Sequence, residues 1–184
     1  SLNTDAMWGV EQSYLKGCDL FTTAPVSLIK ACEGGTDISN WASGGYIWNV
    51  LTTAIDDYLT YCTLHSITPT FRTLIWGQGE NDCNATKLPA YEAALTAFIN
   101  NIRAYNAALA NIKIVIIKIN TGFTGLLAAN INTMNAIYDN IASTMTGVSC
   151  LDVNTLGLTF LNSLHYDVAS VLKIGDELSD MINV

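Results

Sequence analysis

Positive charge is what this chain has least of. Eight Lys and Arg stand against sixteen Asp and Glu, a net charge of -8, and the eight are scattered singly. Nucleic acid and anionic membrane surfaces are bound by clustered cations, so the sequence argues against both as partners. Small neutral or positively charged ligands fit better. No apolar run reaches the roughly 18 residues that span a bilayer. The N-terminus also lacks the basic-then-apolar pattern of a signal peptide, so a soluble chain is expected, with processing before Ser1 left open. Metal-ligand spacing is missing too. The five cysteines (Cys18, Cys32, Cys62, Cys83, Cys150) include no C-x-x-C pair and have no histidine near them in the pattern of a zinc site. Their odd number and their apolar surroundings favour free, buried thiols, with one surface disulfide left open. The N-x-T sequon at Asn84 matters only to a eukaryotic secreted protein.

What the chain does have is apolar material: half of its 184 residues, enough for one domain (1–184) with a sizeable core. Periodicity predicts helices over "VEQSYLKGCDLF", "YIWNVLTTAIDDYLTYCTLH", "AYEAALTAFINNIRAYNAAL", "LLAANINTMNAIYDNIASTM" and "VASVLKIGDELSDMI". Between them lie runs of strand length, "PVSLIKAC", "FRTLIW", "IKIVIIKIN" and "GVSCLDV". Strands apolar on both faces and separated by helices imply a parallel sheet covered on both sides, a three-layer α/β/α sandwich. No linker, repeat or low-complexity tract divides it.

In such sheets ligands bind beyond the carboxyl ends of the strands, so the loops after them are the place to look. The stretch "LIWGQGENDC" ends a buried run in glycines, amides and carboxylates. Gly77 and Gly79 let a substrate approach the main chain, and Gln78 and Asn81 can donate hydrogen bonds, so the loop can hold an oxyanion. The bland reading is a tight turn and helix cap, with Asp82 or Asn84 satisfying free amides. Gly34, Gly35 and Thr36, followed by Trp41, form a second such loop: a simple bend, or exposed N–H groups for developing negative charge. Of the two histidines, His65 ends a helix, where a cation suits the dipole. His165 lies in the last loop, with Asn162 three residues before it and Asp167 two after. A base there, facing an oxyanion-type loop earlier in the sheet, is what a serine hydrolase needs.

In order along the chain, "LIKACEGGTDISNW", "LIWGQGENDC", "YEAALTAFINNIR" and "LHYDVASVLKIGDELSDMI" resemble the SGNH (GDSL-like) hydrolases. The closest likeness is to the sialate O-acetylesterase and acetylxylan esterase branch, carbohydrate esterase family 6. It runs from about Val10 to the C-terminus. The resemblance implies a flavodoxin-like parallel sheet and a serine-type carbohydrate O-acetylesterase without metal or organic cofactor. It implies His165 as general base, and Gly35, Gln78 and Asn81 as oxyanion-hole candidates, with Glu80 and Asp82 orienting the loop and Glu80 within reach of His165. Trp41 and Trp8 are candidates for a sugar-stacking wall, or for packing.

The sequence departs from the family pattern in two places. The family's Asp three residues before the histidine is Asn162 here; an amide orients an imidazole but does not stabilise an imidazolium as a carboxylate does. Glu80 replacing the acid, a weak Ser–His dyad and lost activity are the three readings that follow. Family members also open with a central strand ending in Gly-Asp-Ser or Gly-Gln-Ser, and none precedes Ser1. A sheet without that strand leaves edges unpaired, so an upstream segment or another chain is expected to supply it. Ser1 fits the order as nucleophile, or is an arbitrary cut with the true serine upstream; Ser13, Ser39 and Ser43 lack a preceding strand. The rival expectation is a carbohydrate-binding or structural module, such as part of a phage tail or surface fibre, that kept the fold and lost the chemistry. Both readings place the chain in an extracellular, secreted or virion-associated setting ahead of a cytoplasmic one.

Overall fold

The computed structural model describes residues 10–21 and 26–182. Three strands, β1 (Thr73–Trp76), β2 (Lys113–Ile117) and β3 (Val148–Leu151), form one sheet in the order β1-β2-β3. Every pairing is parallel, with Leu74 opposite Ile114 and Ile116 opposite Cys150. Five α-helices accompany them: α1 (Glu11–Phe21), α2 (Tyr46–Leu64), α3 (Leu88–Tyr105), α4 (Ala128–Thr144) and α5 (Val168–Ile182).

The central strand β2 shows why its sequence is apolar without alternation. Ile114 and Ile116 point into a core shared with α2, α3 and α4, through Ile55, Phe98, Ile102, Met134 and Tyr138. Val115 points the other way, to a smaller core with Leu151, Ile174 and Leu178, where α1 and α5 pack. Side chains alternate across a strand, so a strand covered on both faces must be apolar at every position. The result is the expected three-layer α/β sandwich. The cover of α1 and α5 is close: Gly175 of α5 lies against the backbone of Val10 and Tyr14, where a side chain would collide.

One expected strand does not form. The run "PVSLIKAC" (25–32) reads as a strand, but over the described positions 26–32 it pairs with nothing; Val26 and Leu28 are exposed, while Ile29 and Ala31 lean on the larger core. A strand exists by its ladder, and among the described residues β1 pairs on one edge alone, with no strand between it and 26–32. Cysteine burial also needs correction. Cys62 and Cys83 are buried and Cys150 half-buried, but Cys32 is exposed because its segment lacks that cover; these four thiols are free, and the Cys18 side chain lies outside the described residues. Among the described residues no helix is long and apolar enough to cross a membrane.

Candidate functional site

Two loops that the sequence separates by some forty residues are stapled together. The first follows 26–32 and contains Gly34, Gly35 and Thr36, then a 3-10 turn at Ile38–Trp41. The second follows β1 and contains Gly77 to Asp82. Gln78 Nε2 donates to Thr36 O at 3.2 Å and to Asp82 Oδ2 at 2.6 Å, and Asp82 Oδ2 also accepts from the N–H of Ile38 at 2.9 Å. Lys87 Nζ closes the outer side, 3.1 Å from Asp37 Oδ2 and 3.3 Å from Asn81 O. Asp82 is 1% exposed, and burial raises its pKa while Gln78 and the Ile38 amide pull it back. A buried carboxylate that accepts from both loops ties their geometry together.

Beneath the second loop sit two tyrosines that pattern reading did not single out. Tyr91 of α3 and Tyr138 of α4 are fully buried, and their hydroxyls donate to Gln78 O at 3.0 and 2.7 Å. Tyr91 shares its single proton between that carbonyl and Gln78 Oε1, 2.8 Å away. The Gln78 side chain is thus spent on both ends in tying the loops. Gly79 lies directly over this pair at φ +148°, and a side chain there would strike the Tyr138 hydroxyl. Only glycine combines that backbone with that contact. A signal for the tyrosines did exist: a tyrosine on the core face of a helix needs a partner for its hydroxyl, and the polar loop supplies one.

Asn81 and Gly35 differ from Gln78. Asn81 is exposed, and among the described residues its side-chain amide has no hydrogen-bond partner, so its donors are open. Gly35 sits at φ +73°, exposed, and among the described residues its N–H has no acceptor. Trp41 is a correction. It is 8% exposed, edge-on to Trp76 at 4.9 Å and to Phe98 at 5.7 Å between ring centroids, so it is core and offers no wall to a sugar. Burial of its ring beneath the stapled loop is the reason. Trp8 and Ser1 lie outside the described residues.

The third loop carries His165, which is exposed. Asn162 Oδ1 accepts from the N–H groups of Leu164 and His165, both at 3.0 Å, and stands 2.9 Å from His165 Nδ1. Two backbone donors identify that amide atom as oxygen, so Nδ1 carries the proton toward it. The lone pair then lies on Nε2, to which no group among the described residues is bonded. That is the tautomer a general base requires. Asp167 is occupied elsewhere: it accepts from the Thr159 hydroxyl and from Ser170 N at 2.8 Å, capping α5. His65 caps the C-terminal end of α2 with its ring against Tyr61 at 4.3 Å between centroids.

Glu80 opens the 3-10 turn of the second loop. Solvent touches it, yet protein crowds its carboxyl enough that lost hydration raises its pKa; its own N–H, that of Gly79 and the nearby His165 oppose the rise. Burial pushes the Cys83 and Cys150 thiols up to about 11, which leaves these two protonated at neutral pH.

A parallel three-layer sheet, with an imidazole on its last loop and glycine-amide loops before it, defines an SGNH-like α/β fold. The chain belongs to the family described as "carbohydrate esterase, sialic acid-specific acetylesterase", whose model matches residues 9–183. The fold is similar to the X-ray structure of a protein from Arabidopsis thaliana, with a TM-score of 0.76 at 18% identity. That likeness covers 92% of this chain and 65% of the Arabidopsis chain, so the present chain spans under two thirds of that relative. No curated protein matches it.

Proposed function

We propose that the chain is the His-bearing part of a serine-type carbohydrate O-acetylesterase. The observation that carries this reading is the His165–Asn162 pair, held in the base-competent tautomer. The serine hydroxyl attacks the acetyl carbonyl and passes its proton to His165 Nε2. The tetrahedral oxyanion takes hydrogen bonds from Gly35 N–H and from Asn81, the donors left open; removing one such donor costs about 2.7–4 kcal/mol of transition-state stabilisation. Collapse returns the proton from His165 to the departing sugar oxygen. Water, deprotonated by the same imidazole, then releases acetate and restores the serine.

The nucleophile lies outside the described residues in this proposal. Ser13 is buried and donates to Leu172 O at 2.5 Å, Ser39 donates to Asp37 Oδ1 at 2.5 Å, and Ser43 sits in an exposed turn. Ser1, among the residues outside those described, is one candidate, and a serine supplied by another segment or chain is the other. Membership in an esterase family does not favour the binding-module reading. The test is acetate release from acetylated sialic acid and from acetylated xylan by the natural full-length protein. Turnover abolished by His165→Ala is expected; turnover undiminished by that change overturns the role of His165.

A further inference from the structure

The loop that holds His165 closes on itself through all but one of its amides. The N–H groups of Leu161 and Asn162 both reach His165 O, at 2.8 and 3.4 Å, and those of Leu164 and His165 reach Asn162 Oδ1. Between them, the N–H of Ser163 has no acceptor among the described residues. With the imidazole Nδ1–H, 2.9 Å away, Asn162 Oδ1 is met by three donors at once. Donors converging on one carbonyl oxygen are what stabilises a tetrahedral oxyanion. Here the carbonyl carbon is Cγ of Asn162, and the next nitrogen along the main chain is the free one of Ser163. A bond between the two closes a cyclic imide.

Among the described residues no other asparagine carries this combination. None in the chain precedes glycine, and Asn162 alone precedes serine, a small residue that leaves the approach to Cγ open. The asparagines of α2, α3 and α4 lie in helices, whose ladder occupies the amide that follows. Asn84 and Asn106 stand in loops before Ala, but Asn84 Oδ1 accepts from two amides and Asn106 Oδ1 from one. Asn162 and Ser163 are both exposed, so water reaches them.

We propose that Asn162 is a site of self-modification: the Ser163 amide displaces its side-chain nitrogen, and hydrolysis leaves an aspartate against His165. In the first step Ser163 N gives its proton to solvent base and bonds to Cγ; the Cγ–Nδ2 bond breaks, and that nitrogen takes a proton from solvent and departs as ammonia. In the second, water adds to Cγ and the Cγ–N bond to Ser163 breaks. One proton of the water returns to Ser163 N and the other goes to solvent, leaving a carboxylate at position 162. The donors around Oδ1 favour this opening over attack at the main-chain carbonyl, which would give isoaspartate. The product faces the Nδ1–H of His165 with a charge, which stabilises an imidazolium. This consequence rests on the esterase reading: the fresh chain is a slow enzyme that matures with age.

The modification itself is measured by mass, without turnover. Freshly made natural full-length protein is held in mildly alkaline buffer and digested in acid. Peptide mass spectrometry, with fragmentation that separates aspartate from isoaspartate, then follows each asparagine. Conversion at Asn162 about tenfold faster than at Asn84 and Asn106 is expected, with aspartate as the main product. In urea, where the converging donors are lost, conversion at Asn162 slows about tenfold. His165→Ala, a change at an exposed position that removes one donor, slows it in the folded protein. A rate at Asn162 no greater than at the other two, a faster rate in urea, or isoaspartate as the main product overturns the proposal. Under the esterase reading, kcat climbs with the converted fraction toward that of Asn162→Asp, and stays flat in Asn162→Gln, whose longer side chain closes an imide poorly. A protein that converts at Asn162 yet turns over no acetyl ester refutes that reading and leaves the modification standing.

Discussion

The stapled loops and the histidine loop answer the same demand in opposite ways. Around Gln78 and Asp82 both side chains are tied down: two buried tyrosines hold one carbonyl, one buried carboxylate gathers donors from two loops, and the glycine at the centre leaves no room for a side chain. Around His165 the chain is exposed and one amide oxygen does the holding. The first region is rigid because it is built into the core, and the second because Asn162 closes a small ring of hydrogen bonds on its own backbone. Donors that must be in place before charge develops belong on the rigid scaffold, while a group that must exchange protons with substrate and water gains from exposure.

The largest effect is expected at Gly79. Gly79→Ala forces a methyl group onto the Tyr138 hydroxyl and a side chain into positive φ, costing about 3–5 kcal/mol, or roughly 10 °C in Tm by calorimetry. A loss under about 1 kcal/mol would show that this loop is as pliant as the histidine loop. Next comes Asn162. Asn162→Asp keeps the acceptor and adds a charge that stabilises the imidazolium, so kcat for acetyl ester hydrolysis rises about tenfold, whereas Asn162→Ala frees the ring and lowers it by a similar factor. Tyr138→Phe removes one of the two donors to Gln78 O and costs about 1–2 kcal/mol in denaturant unfolding, with Tyr91 still in place.

Acid titration separates the regions more gently. Asp82 and Glu80 have raised pKa values, so between the ordinary carboxylate range (about pH 4) and their raised values the folded state holds protons that the unfolded chain has lost. Their contribution therefore makes stability fall as pH rises through that window. Asp37 and Asp152 are lowered, by Ser39 and by the Asn154 and Lys118 contacts that outweigh burial, and act with the opposite sign: stability present above the ordinary range is lost as pH falls. Asp82→Asn should flatten the upper window in a Tm-versus-pH series, leaving the lower one. His65→Ala, far from both regions in contacts, should change stability by no more than about 0.5 kcal/mol.

The elements were legible because their periodicities are strong. Three of four expected strands and all five helices are present, since β2 has apolar residues on both faces and the helices carry an apolar stripe. The segment 25–32 was misread because its apolar run is real while its partner strand is not among the described residues; sequence shows the propensity of a strand but not its ladder. At the site, the place of His165 in the last loop followed from position, and the contact of Asn162 with it, at 2.9 Å, lies where the family resemblance pointed. That Gln78 would spend its amide on Asp82 and Thr36 did not, because that bond depends on how two distant loops meet. Trp41 illustrates the same limit: an aromatic after Gly-Gly reads equally as a wall or as core, and only the packing of Trp76 and Phe98 against it decides.

The most direct test of the central claim is labelling of the natural full-length protein with a fluorophosphonate, located by peptide mass spectrometry, in wild type and in His165→Ala. The account predicts one labelled serine, outside residues 10–21 and 26–182, with labelling lost when the imidazole is removed. A folded sample that takes no label, or one labelled equally well without His165, would contradict it.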